Sequence, residues 1–143
     1  MTARRVVAIA VGVLVVVVVV LQVVPAPRPN NPPVESAAVW PNEQVRALAT
    51  RACVDCHSYE TNWPWYSYVA PMSWLVVRDV EEGRDDFNFS TWDDDADDVD
   101  DAIETIEEGE MPPPQYTIVH RSARLSDAEV EVLIDGLRQM GRS

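Results

Sequence analysis

Apolar and polar positions fall into three regimes along this chain. From Val6 to Val24 the residues are apolar throughout except at Gly12 and Gln22, with Arg4 and Arg5 in front. About 19 residues at 1.5 Å each span roughly 28 Å, the thickness of a hydrocarbon core. Valine is a poor helix former in water. In lipid the backbone must satisfy its own hydrogen bonds, so the run is expected to be a transmembrane helix. The two arginines predict a cytoplasmic N-terminus and an extracytoplasmic, periplasmic-side remainder. A cleaved signal peptide has a shorter apolar core and an A-x-A-like site. Here the run ends in Val24-Pro25-Ala26-Pro27, which favours an uncleaved anchor over residues 1–24. Residues 25–40 contain Pro25, Pro27, Pro29, Pro32 and Pro33. They predict an extended spacer of roughly 3.1 Å per residue that lifts the next domain off the membrane.

Residues 41–143 form the third regime, in which apolar positions recur at helical spacing. A first helix follows Pro41, with Val45, Leu48, Ala49 and Ala52 on one face, and delivers Cys53. An aromatic, turn-rich stretch from Tyr59 to Val69 comes next and contains Trp63-Pro64-Trp65-Tyr66. A second helix is expected from Pro71 to Glu82, with Trp74, Val77 and Val80 inward and Gly83 as its stop. Asp residues repel one another within a helix but suit its N-terminus. The acidic run Asp93–Asp101 therefore predicts a third helix starting near Asp97 or Asp98, with Val99, Ala102, Ile103 and Ile106 buried and Gly109 at its end. The last helix opens on the capping box Ser126-x-x-Glu129, flanked by Leu125 and Val130, and carries Val130, Leu133, Ile134, Leu137 and Met140. No segment has a convincing strand pattern, so the fold class is all-α, with helices packed around something large. A domain of roughly 100 residues has a modest core of its own.

Composition narrows the partners. The net charge is −13, and every Lys/Arg position is Arg. Such a charge excludes nucleic acid and disfavours anionic membrane surfaces. The acidic run also matches a calcium loop at Asp93, Asp95, Asp97 and Glu104. Its sixth position is Asp98, where such a loop needs Gly, and a solvated acidic surface is the simpler reading.

The chemistry concentrates in Cys53-Val54-Asp55-Cys56-His57, which holds both cysteines and one of the two histidines. C-x-x-C-H is the attachment signature of c-type haem. Two thiols at this spacing add across the haem vinyl groups, and the next residue supplies an imidazole to the iron. Zinc needs about four ligands, and only the isolated His120 remains to complete a set. A thioredoxin-like dithiol requires an α/β pattern that is absent, whereas a plain Cys53–Cys56 disulfide in an exported domain stays open.

The other axial ligand divides electron transfer from ligand chemistry. Candidates are Met72, Met111, Met140 and His120. Met140 belongs to an apolar helix stripe. Met111, in Gly109-Glu110-Met111-Pro112-Pro113-Pro114, sits on a loop that prolines hold extended, and ligation gives that methionine a purpose. Met72 and His120 are the alternatives. Donors for the haem propionates are Arg51, Arg78, Arg84 and the indoles of Trp63, Trp65, Trp74 and Trp92, with Arg84 preferred. Trp63 and Trp74 also suit haem packing. Asn88 and Ser90 suit fixing of the loop before the third helix, and Tyr116 and His120 suit bracing of the methionine loop.

Taken together, Cys53-x-x-Cys56-His57-Ser58, Trp63-Pro64-Trp65-Tyr66, Ala70-Pro71-x-Ser73-Trp74, Gly83-Arg84, Asn88-Phe89-Ser90-x-Trp92, Gly109-x-Met111-Pro112-Pro113, Tyr116, His120 and Leu125-Ser126 resemble the bacterial haem-binding domain proteins. These are small exported or membrane-anchored c-type cytochromes. The resemblance covers roughly residues 40–140. It implies a class I cytochrome c-like fold around one covalent haem c, with Met111 as the distal ligand. The chain departs from the family pattern at Asp79, where His is usual, and at Arg121, where Pro often follows the histidine. The expected function is a mono-haem electron carrier rather than an enzyme, acting with a membrane-bound or periplasmic redox protein that has a basic docking patch. An open-site haem sensor or peroxidase-like enzyme, with His120 near the iron, is the alternative.

Overall fold

The structure is a computed structural model that describes residues 2–24, 26–34, 36–92 and 98–142. The described residues form six α-helices and two short 3-10 turns, and the only β pairing among them is an isolated parallel bridge between Ser36 and Thr91. The all-α expectation therefore holds. The chain divides into two compact units, Met1–Pro29 with Trp63–Asp79, and Asn30–Asn62 with Val80–Ser143.

The first unit begins with helix α1, Ala3–Gln22, which buries none of its residues. By length and composition it is the one helix among the described residues that could cross a membrane. Its last side chain, Gln22, donates through Nε2 to the Ala70 carbonyl and accepts at Oε1 from the Ala70 N–H, both at 3.1 Å. Arg28 donates to the Ser67 carbonyl at 3.0 Å and lies 3.8 Å above the Tyr68 ring. The aromatic stretch contains a 3-10 turn, Trp65–Tyr68, in which Ser67 is buried and its hydroxyl donates to the Pro64 carbonyl at 2.6 Å.

Helix α3, Met72–Asp86, starts in this unit and ends in the second. It runs through Gly83, four residues past the expected end at Glu82. A glycine stops a helix by adopting positive φ. Among the described residues only Gly109 does so, at φ 76°. Gly83 has a packing role instead. A Cβ there would stand 3.2 Å from both the Cβ and the carbonyl oxygen of Cys56. The missing side chain lets the end of α3 lie directly on the motif loop.

In the second unit, helix α2 is Glu43–Ala52. Asn42 caps it by accepting from the Val45 N–H at 2.9 Å, a contact that relieves one of the orphan donors of the first turn. Val45, Leu48, Ala49 and Ala52 are buried as their spacing predicts. Helix α4 is Val99–Glu107 with Asp98 as its N-cap, and it buries Val99, Ile103 and Ile106. Asp93, Asp95 and Asp97 of the calcium-loop reading lie outside the described residues. A short helix α5, Pro114–Val119, follows the methionine loop and was not expected. Pro114 opens it, where a missing N–H leaves nothing unsatisfied.

The last helix, α6, is Asp127–Met140 with the expected capping box intact. It buries Leu133, Ile134, Leu137 and Met140 against α2 and α4. Gly136 lies where α6 meets α2. A Cβ on it would fall 2.5 Å from both γ-methyls of Val45.

The rest of this core is aromatic. Phe87, Phe89 and Trp92 are all buried, and Phe89 and Trp92 stack at 6.2 Å with Trp40 4.8 Å from Phe89. Residues expected to be a free spacer take part here. Ala38 N–H donates to Phe89 O at 2.9 Å, Trp92 N–H donates to Ser36 O at 2.9 Å, and Ala38 is buried. The end of the 25–40 segment therefore belongs to the domain. Small residues at Ser36, Ala37 and Ala38 let an extended backbone pair closely with residues 89–92.

Candidate functional site

The motif loop starts where α2 ends. Cys53 is the C-cap of α2, and its carbonyl accepts from the Cys56 N–H at 3.0 Å and the His57 N–H at 2.9 Å. This tight turn puts both thiols and the imidazole on one short arc. Cys53 and Cys56 are not bridged to each other, and both residues are half-buried. Burial pushes the Cys53 thiol up to about 12, with a smaller contribution from Cys56.

Helix α3 and the chain after it hold the histidine. His57 Nδ1 lies 2.9 Å from the Phe87 carbonyl oxygen. A carbonyl only accepts, so the proton is on Nδ1 and the lone pair is on Nε2. Burial lowers the His57 pKa below its usual 6.5, although the Phe87 and Gly83 carbonyls and Asp86 pull it back. The ring is therefore neutral near pH 7, in the tautomer whose Nε2 can bind a metal. The His57 carbonyl in turn accepts from the Phe89 N–H at 2.9 Å. The residue is fixed from both sides by the same Phe87–Phe89 segment.

Met111 reaches this unit's core from the other direction. Gly109 turns the chain out of α4, and the N–H groups of Glu110 and Met111 both donate to the Thr105 carbonyl, at 3.0 and 3.2 Å. Met111 is partly buried against the same core cluster as Cys53 and Val54. Tyr116 on α5 links the methionine loop to the motif, because its hydroxyl donates to Asp55 Oδ2 at 3.0 Å. His120 stacks on Tyr116 with ring centroids 4.3 Å apart. The bracing therefore runs through ring stacking and Asp55, a motif residue to which the sequence assigned no role.

Other expected site residues are placed differently. Arg84 donates to the carbonyls of Ser58 and Asn30, to Asn31 Oδ1 and to Thr61 Oγ1, all within 2.9 Å. It fastens residues 30–31 to the loop after the motif. Arg51 binds Glu129 at 2.7 Å, and its Nε is buried with no acceptor. Trp63, Met72 and Trp74 belong to the first unit. Met72 is exposed, and the Trp74 indole nitrogen is buried with no acceptor. Met140 is core, as its spacing implied. Asn88 and Ser90 do fix their loop. Asn88 Oδ1 accepts from the Ser90 N–H at 2.9 Å, and Ser90 Oγ accepts from the Tyr59 N–H at 2.9 Å.

The sequence reading missed the Phe87 carbonyl, Asp55 and Asn42. A backbone acceptor leaves no residue-type signal. Asn42 did leave one, as an N-cap residue directly before an amphipathic run.

These residues suit a covalently held haem. Two unbridged thiols precede a neutral imidazole whose Nδ1 is held by a backbone carbonyl, a glycine clears space against Cys56, and two residues before Cys53 a buried guanidinium N–H lacks an acceptor. Neither a curated protein nor a solved structure matches the chain. The model of one family, described as Haem-binding domain, does match, and it does so over residues 16–139. That span covers most of the sequence, and the chain belongs to the Haem-binding domain family.

Proposed function

We propose that the protein is a mono-haem c-type cytochrome of the class I kind. It carries single electrons on the extracytoplasmic side of a membrane that α1 crosses. Cys53 and Cys56 would hold the haem by thioethers, and His57 and Met111 would supply the ligands to its iron. The observation that carries this reading is the 2.9 Å contact between His57 Nδ1 and the Phe87 carbonyl, which puts the proton on Nδ1 and the lone pair on Nε2 of a neutral ring beside two unbridged thiols. When bound, haem supplies a one-electron iron couple.

The chain's own residues set the terms of that chemistry. The Phe87 carbonyl orients the imidazole and raises its basicity as a ligand. A methionine thioether is a soft ligand that favours ferrous iron and raises the potential. The Tyr116–Asp55 bond couples the loop of Met111 to the loop of His57, so both ligands are held by one network. The buried Arg51 Nε is the donor in this unit best suited to a propionate. With a net charge of −13, the partner is a membrane-bound or periplasmic redox protein with a basic docking patch.

The test is the reduced and oxidised visible spectrum of the full chain, matured with haem-attachment machinery, beside its Met111→Ala variant. The parent should be low-spin and indifferent to carbon monoxide. The variant should lose the methionine–iron band, bind carbon monoxide and have a lower potential. A parent that is high-spin and shifts on adding carbon monoxide would instead favour an open-site sensor or peroxidase-like enzyme.

A further inference from the structure

We infer that the turn Trp65–Tyr68, continued through Val69 to Met72, is a lipid-contacting surface that lies in the headgroup region of the bilayer crossed by α1. The inference rests on reading α1 as a bilayer span, and everything it uses lies within the first unit.

Depth is the first support. Beyond Arg5, helix α1 runs from Val6 to Gln22, about 17 residues or roughly 26 Å at 1.5 Å each, so nearly all of it is used in crossing the hydrocarbon. Its last residue, Gln22, donates through Nε2 to the Val18 carbonyl at 3.3 Å within the helix and exchanges two further bonds with the backbone of Ala70, both at 3.1 Å. Ala70 is thereby fixed at the level where the hydrocarbon ends. A second tether, from Arg28 to the Ser67 carbonyl and the Tyr68 ring, holds the preceding turn at the same end of the helix.

Chemistry is the second support. From Trp63 to Val77 the chain has no Asp, Glu, Lys, Arg or His, although the whole chain carries 24 acidic residues. Within that stretch Trp65 is 79 % exposed, Tyr68 59 % and Val69 43 %. The exposure is not a sign of a loose loop, because Ser67 inside the turn is fully buried and hydrogen-bonded to Pro64. An ordered turn that turns large apolar rings outward needs a partner for them. Trp and Tyr have apolar bodies and a single polar tip, which is why they collect at the boundary between acyl chains and headgroups. Arg28 over the Tyr68 ring places a guanidinium where headgroup phosphates lie. A bilayer is the occupant because both tethers tie this surface to the end of the membrane helix. A docking site for a protein would have no need of that depth.

The experiment uses the full, haem-loaded chain in phosphatidylcholine vesicles that include a phosphatidylcholine with a photoreactive diazirine near the headgroup end of an acyl chain. After illumination, labelled peptides are mapped by mass spectrometry, and flotation reports vesicle binding. Label on both α1 and residues 65–72 is the expected result. Flotation with label on α1 alone would overturn the inference and leave the membrane anchor standing. The same holds if residues 65–72 escape label but resist hydroxyl-radical oxidation, since a protein would then be covering them. A chain that neither floats nor takes label would remove the anchor reading and the inference together.

Discussion

Replacing Gly136 with Ala should destabilise the domain, although alanine is the better helix former. The site is the contact of α6 with α2, where the new Cβ would stand 2.5 Å from both Val45 γ-methyls and 3.1 Å from its Cβ. Apolar carbons normally meet at about 3.5–4.0 Å, so the helices must part by about 1 Å or Val45 must leave its rotamer. A β-branched residue in a helix has one strongly preferred rotamer, and Val45 is 1 % exposed with nowhere to turn. Overpacking of this kind costs about 1–3 kcal/mol. Improved helix propensity offsets up to about 1 kcal/mol. With the full offset taken off, the net loss is about 0–2 kcal/mol, and in a domain of this size each kcal/mol lowers Tm by roughly 4–8 °C. The assay is thermal and urea unfolding in detergent, followed by far-UV circular dichroism. Val45→Ala removes the obstructing methyls. Its cost in the Gly136→Ala background should therefore be about 1 kcal/mol smaller than in the parent. A Tm that rises in Gly136→Ala, as propensity alone would give, would refute the close crossing. The crossing matters to function because α2 ends at Cys53, so a displaced α2 displaces the motif loop.

Two further perturbations test the supports of the site. Hydrogen bonds from Ser126 and Arg51 hold the Glu129 carboxylate at about 2, below its ordinary 4.5. A depressed folded-state pKa gives stability that is complete above pH 4.5 and is lost as pH falls toward 2. The stability–pH profile of Glu129→Gln should be flatter than the parent's in that window, and parallel profiles would remove Glu129 from the account of acid unfolding. Tyr116→Phe deletes the 3.0 Å bond to Asp55 and should cost about 1 kcal/mol in urea unfolding. An unchanged midpoint would mean that the methionine loop is not tied to the motif.

Much of the fold was legible in the sequence because its helices obey local rules. The stripe Val45, Leu48, Ala49, Ala52 and the box Ser126/Glu129 each point to one structure, and both are found. The expectation failed at Gly83, which looks like a stop but serves as a point of close approach to Cys56. Local sequence cannot separate those roles, since the difference lies in what packs against the helix. The same applies to residues 36–40. Five upstream prolines suggest a free spacer, yet the following small residues pair with the chain near Phe89. The motif Cys53–His57 stands out in the sequence by its residue types and spacing. What it could not disclose was how His57 is oriented, because the partner is a backbone carbonyl 30 residues away. Arg84 reads as a natural propionate donor next to a glycine, but four hydrogen bonds to residues 30, 31, 58 and 61 engage it structurally.

The most direct measurement is the mass of the full polypeptide after maturation with haem-attachment machinery, taken under denaturing acid conditions that extract non-covalent haem. The chain should carry the mass of one haem, and the Cys53→Ala/Cys56→Ala double variant should carry none. A parent chain whose haem is extracted by acid, or that binds no haem despite working maturation, would contradict covalent attachment at Cys53 and Cys56.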